Sequence, residues 1–180
     1  MSRANAQFSS EIRKYSFNAL AAVIMALAAV PSAQAAGSSS IVRNLQTGQC
    51  LYPTSAGAGA AIHQAHCDAS DNRSFGIEYV GMQGREVSVQ RASFRLRNVQ
   101  TNMCVDLANN SNGNGVPVVQ NPCNGSPTQQ WSTRGPLGLA NYHQLVNGSG
   151  GKCLDAAMNA SHIQLWQCGN GNNQSWWAAY

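Results

Sequence analysis

Charged side chains are scarce in this chain: eleven Lys or Arg and seven Asp or Glu among 180 residues. Beyond residue 35 the balance is eight basic residues against six acidic ones, a formal charge of +2. So weak a field does not select nucleic acid or an anionic membrane surface as a partner. Long apolar runs are missing too. The longest, Ala19 to Val30, has 12 residues, short of the roughly 20 that a membrane-spanning helix needs. After it, no segment keeps a helical period, which excludes a helix bundle. There is no Cys-x-x-Cys pair and no run of ligands at zinc spacing. His63 and His66 form the one close His pair and read as polar surface, so neither a metal nor a cofactor is expected.

Catalytic signatures are equally absent: no Gly-x-Ser-x-Gly, no His-Glu-x-x-His and no glycine-rich phosphate loop. Glycoside hydrolysis requires two carboxylates about 5 to 9.5 Å apart. Asp106 and Asp155 fall at equivalent points of a repeat described below and should lie much farther apart than that. Asp68 and Asp71 belong to a polar loop beside Cys67. No enzyme is expected.

Polar amides, small residues and six cysteines are what the chain does have. Residues 1 to about 18 are polar with Arg3, Arg13 and Lys14, and the short apolar run leads to Ala33-Gln34-Ala35. A basic region, a short apolar core and an A-x-A site read as a secretory signal peptide, residues 1–35. The expected location is extracellular or periplasmic, with the mature domain over 36–180. All six cysteines follow the leader, and an even count in an exported chain reads as disulfides.

The same pattern is written three times. It runs Asn44, Cys50-Leu51-Tyr52, Cys67, Arg73-Ser74-Phe75; then Asn98, Cys104-Val105-Asp106, Cys123, Gln129-Gln130-Trp131; then Asn147, Cys153-Leu154-Asp155, Cys168, Gln174-Ser175-Trp176. Each Asn stands six residues before the first Cys of its copy. The repeat selects the pairs Cys50–Cys67, Cys104–Cys123 and Cys153–Cys168 among the 15 that six cysteines allow. The copies span about 40–80, 94–136 and 142–180, with an insertion about 81–93 that reads as an exposed loop or long hairpin. Short extended segments between Gly, Asn and Ser clusters predict an all-β barrel or sandwich. Three copies of about four strands give a closed, pseudo-threefold barrel with a hairpin cap. Phe75, Trp131 and Trp176 recur once per copy and are expected in the core, each neighbouring Gln satisfying turn backbone groups.

Three intra-copy Cys pairs, Cys-Leu-Asp and the Gln-x-Trp endings together resemble the ricin B-type lectin domain, a β-trefoil, over about residues 40–180. The resemblance implies a sugar-binding module, often galactose-directed, with up to three shallow sites. It builds a site from an Asp two residues after the first Cys, a polar residue and an aromatic before the second Cys, and an Asn beside the Gln of Gln-x-Trp. The third copy holds all of these: Asp155, Gln164, Trp166 and Asn173, with Gln174 alongside. Asp155 would accept from two hydroxyls, Trp166 would offer a flat face to ring C–H groups, and Asn173 can donate and accept. The second copy has Asp106, but Asn121 at the aromatic position, Val119 for Gln164 and Thr128 for Asn173, so a weak site at most is expected. In the first, Tyr52, Ala65 and Arg73 take the Asp, aromatic and Gln places, and a structural role is expected.

One such domain would use up the mature length. The expected function is a secreted lectin for galactose-like or related glycans, bound mainly by the third copy. A second expectation is the carbohydrate-targeting subunit of a secreted toxin or enzyme complex; a third is a β-trefoil protease inhibitor, which would have no use for the third-copy set. Glycans are the expected partners, with a toxin or enzyme subunit as a further one and no insertion into membranes.

Overall fold

The computed structural model describes residues 39–83, 91–135, 141–158 and 160–178. The leader, its cleavage point and residues 84–90 of the insertion lie outside them. Among the described residues there are twelve strands, short 3-10 turns and no α-helix.

Six strands form a ring: β1 (Ser39–Asn44), β4 (Ser74–Gln83), β5 (Arg91–Asn98), β8 (Trp131–Arg134), β9 (Gln144–Asn147) and β12 (Trp176–Ala178). β1 pairs antiparallel with β12 and β4, β4 with β5, β5 with β8, and β8 with β9. A bridge between His143 and Trp176 closes the ring. The other six make three hairpins: β2 (Cys50–Pro53) with β3 (Ile62–Ala65), β6 (Cys104–Leu107) with β7 (Val116–Asn121), and β10 (Cys153–Ala156) with β11 (Ile163–Trp166). Ring plus three hairpins is the β-trefoil. Closure removes the free edges that an open sheet would present. β4 and β5 run on as the arms of a long hairpin, paired as far as Gln83 and Arg91.

Each copy begins with one turn. Asn44, Asn98 and Asn147 are buried. Each backbone N–H donates five residues ahead, to Gln49, Met103 and Lys152, and each backbone carbonyl accepts from four ahead, Gly48, Asn102 and Gly151. Those last three residues have φ of +66°, +57° and +64°. Gly and Asn are the residues that enter this left-handed region at least cost. The Asn carboxamide Oδ1 accepts from backbone N–H groups of its own turn. Its Nδ2 donates into another copy: Asn44 to the Asn173 carbonyl at 2.9 Å, Asn98 to Asn72 at 2.9 Å, and Asn147 to Thr128 at 2.8 Å. Third to first, first to second and second to third, the three links close a circle.

Phe75, Trp131 and Trp176 are fully buried in one cluster with Val42, Leu96 and Leu154. Each indole N–H donates to a backbone carbonyl, Trp131 to Val105 at 3.3 Å and Trp176 to Leu154 at 2.8 Å, as a buried aromatic donor must. The disulfides join Cys50–Cys67, Cys104–Cys123 and Cys153–Cys168, the pairs expected from the repeat. Every cysteine is used, which suits an oxidising compartment. Among the described residues no helix is long and apolar enough to cross a membrane.

Candidate functional site

Two adjoining elements build the third-copy cleft. In the β10–β11 hairpin Asp155 faces Gln164 and Cys153 faces Trp166. Strand alternation buries Ile163 and Leu165 and turns Gln164 and Trp166 outward, Trp166 being 42% exposed. A 3-10 turn over Asn172–Gln174 then brings Asn173 and Gln174 onto the hairpin. The result is an open depression of about 640 Å³ that Asp155, Gln164, Trp166, Asn173 and Gln174 line together, with Met158 and His162 on its rim.

Asp155 is the hub. Its Oδ1 accepts from Gln164 Nε2 at 3.0 Å. Its Oδ2 accepts from Asn173 Nδ2 and Gln174 Nε2, both at 2.8 Å. A carboxylate offers about four acceptor positions, so one, on Oδ1, is left, on a residue that is itself only 3% exposed. Two further acceptors, Gln164 Oε1 and Asn173 Oδ1, carry no hydrogen bond to the described residues. The cleft therefore presents acceptors to incoming hydroxyl donors beside one flat apolar face.

Gln174 has a different place from the other four. It is 4% exposed. Its Oε1 accepts from the Gly169 N–H at 2.7 Å, and its Nε2 donates to the Gln167 carbonyl at 3.0 Å. It braces the carboxylate from behind and ties down the chain after Cys168. Trp166 leans on the second copy. The Gly115 N–H donates to the Leu165 carbonyl at 2.8 Å, and a Cβ on Gly115 would stand 3.7 Å from the indole. Asn114 Oδ1 accepts from the Gln167 N–H at 2.9 Å.

The second copy puts the same groups to another use. Asp106 is buried, and its Oδ1 accepts from the Leu107 N–H at 2.7 Å. Its Oδ2 accepts from Gln129 and Asn121, both at 3.0 Å. Asn121, at the aromatic position, folds onto the carboxylate, and its Oδ1 accepts from the Gly59 N–H at 3.1 Å. Asp106 and Asp155 are equally buried and each takes three donors, so the copies differ in what flanks the carboxylate: Asn121, which also pins the first copy's loop, against the exposed Trp166.

In the first copy the Asp–Gln pair is exchanged as a unit. Arg73 stands over the Tyr52 ring, 5.0 Å from its centroid, a cation–π contact where the other copies have carboxylate and amide. Asp68 holds the guanidinium at 3.3 Å. The Ser70 hydroxyl, then the Ser70 N–H, then Arg73 keep the Asp68 carboxyl below its usual range. His63 packs edge-on against Tyr52 and bridges His162 across the seam between copies. Partial burial and then His162 lower its pKa. His66 takes no part in this contact. No group of three or more His, Cys, Asp or Glu among the described residues could hold a metal.

Sequence reasoning overlooked Gly171. It starts the 3-10 turn, and a Cβ there would run into the Asn173 carboxamide. Ser70 and Ser126 occupy the same position in the other copies, so a small residue in all three was the signal. Its φ of −74° suits any residue, so the conflict is purely steric. Gly171→Ala should therefore push Asn173 off Asp155 and weaken ligand binding at least about tenfold, with a stability change of roughly 1 kcal/mol. Titration calorimetry beside thermal unfolding separates the two effects.

A threefold ring with three hairpins, the last carrying Asp155 beside the exposed Trp166, defines a β-trefoil with a candidate site in its third copy. The model of the ricin-type β-trefoil lectin domain matches residues 92–180, and that of the ricin-type β-trefoil lectin domain-like family matches residues 30–121. The chain belongs to the ricin-type β-trefoil lectin family. No curated protein matches it. Among solved structures it is similar to ThreeFoil, a designed threefold-symmetric protein, with a TM-score of 0.69 and 23% identity over 79% of this chain and 98% of that one. The exo-β-1,3-galactanase 1,3Gal43A of Clostridium thermocellum gives 0.68 and 23% over 78% of this chain and 29% of the enzyme. A Polyporus squamosus lectin bound to a Neu5Acα2-6Galβ1-4GlcNAc epitope gives 0.63 and 16% over 79% and 48%. The chain thus spans under a third of the galactanase and about half of that lectin.

Proposed function

We propose that this protein is a secreted lectin that binds galactose-like or related glycans through its third copy. The observation that carries the reading is the contrast between copies. Asp106 has Asn121 folded onto it where an aromatic would stand, Tyr52 lies under Arg73, and Asp155 alone has an exposed aromatic, Trp166, beside it in the same depression. A hydroxyl on the sugar donates to Asp155 Oδ1, and a neighbouring one meets Asn173 Oδ1 or Gln164 Oε1. The apolar face of the ring lies on Trp166. The galactan named for one structural neighbour and the galactose-containing epitope of another support this ligand class. A glycan array with the wild type and an Asp155 variant tests it. Wild type should mark glycans with exposed galactose-type residues, and a blank array for the wild type sinks the reading. One sugar site of this size binds near millimolar, about −4 kcal/mol, so useful retention on a surface comes from self-association or a multivalent glycan.

Tyr79 and Val80, on the long hairpin arm, are 67% and 39% exposed, which favours a second role as the carbohydrate-targeting subunit of an assembly. Under it, replacing both with Ser should weaken co-purification of a separately encoded chain from the culture medium and leave glycan binding intact.

A further inference from the structure

We propose that the sugar cleft continues past Met158 into a second depression, so that the protein reads a neutral oligosaccharide rather than a single terminal sugar. This rests on the third-copy cleft being the sugar site. The second depression, about 410 Å³, lies between the third and first copies. Its walls include Gln46, Thr47, Gln49, Gln64 and Ser161, and it shares Ala157 and Met158 with the first depression. Both volumes fall in the roughly 300 to 1,000 Å³ range of ligand pockets.

The chemistry of the walls selects the ligand. Among the described residues no Asp, Glu, Lys or Arg lines the second depression, which suits a neutral ligand. Among its polar groups, Thr47 Oγ1 donates to Gln64 Oε1 at 2.8 Å, which fixes the floor. The Gln46 and Gln49 carboxamides make no hydrogen bond to the described residues, and each can both donate and accept. Hydroxyl groups, which do the same, are the matching partner.

Met158 supplies the link. It is 69% exposed, and its equivalents five residues after the first Cys are Ser55 and Asn109. An exposed apolar residue thus appears at this position only in the copy that also has Trp166. Its thioether side chain suits the C–H faces of a saccharide passing from one depression to the next. Each further sugar held beside the first adds affinity as an intramolecular contact.

Titration calorimetry on the whole mature protein tests this with methyl β-galactoside, galactobiose and galactotetraose, and with the corresponding xylose series. Wild type should bind the tetrasaccharide at least about tenfold more tightly than the monosaccharide. With Gln46→Ala and Gln49→Ala combined, or with Met158→Asp alone, that ratio should fall below about threefold. Circular dichroism and thermal unfolding confirm that both variants fold. Equal affinity for all lengths in the wild type overturns the proposal and leaves the primary site standing. A length-dependent gain that survives in both variants also overturns it. Binding to no member of either series overturns it together with the site on which it rests.

Discussion

Asp155→Asn is expected to fold and to lose measurable sugar binding. The carboxylate takes three amide donors, from Gln164, Asn173 and Gln174, and keeps one position on Oδ1 for ligand. A carboxamide of the same shape can keep one oxygen toward Asn173 and Gln174. Its NH₂ then faces Gln164, whose own amide can turn to present Oε1. The fold survives, but the open position becomes a donor without charge. Losing a hydrogen bond to a charged group costs about 1.5–3 kcal/mol, roughly 10- to 150-fold in affinity. Applied to a site of near-millimolar strength, that takes binding out of range. Asp155→Ala goes further, leaving three buried or half-buried amides without their acceptor and costing about 2–4 kcal/mol of stability as well. Asp106→Ala should show the same stability loss, since Gln129 and Asn121 depend on it, with the glycan profile unchanged. Unimpaired binding by Asp155→Asn would place the site elsewhere.

Trp176→Ala should produce the largest loss of stability. The ring is 1% exposed, lies in the shared core and donates to Leu154 at 2.8 Å. Truncating a buried Trp costs about 3–5 kcal/mol through lost burial and the cavity left behind. The orphaned Leu154 carbonyl adds to this. For a domain of this size a melting point lower by roughly 10 °C follows. Trp177 supplies the comparison. It is the next residue, points to the other side of β12 and is only half-buried. Trp177→Ala should cost much less, about 1 kcal/mol. Equal losses for the two would mean that the core is not organised around one aromatic per copy. Calorimetric melts of both variants decide this.

The scaffold was legible because it is repeated. A disulfide, a Gln-x-Trp ending and an Asn six residues before a Cys gain weight when they come three times in order. The repeat also led to the outward face of β11, because Gln164 and Trp166 sit two residues apart. What stayed hidden depends on where side chains end up once the 3-10 turns have folded onto the hairpins. From the sequence Asp155 promised to meet two hydroxyls; the turn brings two amides to its Oδ2 and leaves one acceptor position. Gln174 lines the depression with the other four, yet its carboxamide is also spent on Asp155, Gly169 and Gln167. Asn121 looked like a missing aromatic and is a clasp on Asp106. Tyr52 and Arg73 looked like two separate losses, yet they are one compensated exchange, visible only when the guanidinium is seen over the ring. Pairings of this kind have no fixed spacing along the chain, and no periodicity reports them.

The circle of asparagine links has a consequence for how such a protein could change over time. Asn44 of the first copy holds the Asn173 carbonyl, and Gly115 of the second holds the Leu165 carbonyl and lies against Trp166. The copy that carries Trp166 is thus propped by the other two. A gene fragment encoding the last copy alone would yield neither fold nor binding. On the proposed reading, the other two copies serve as architecture, and Tyr52 with Arg73 shows one polar pair exchanged for another. Both copies stay bound to keep the few atoms that reach across to their neighbour.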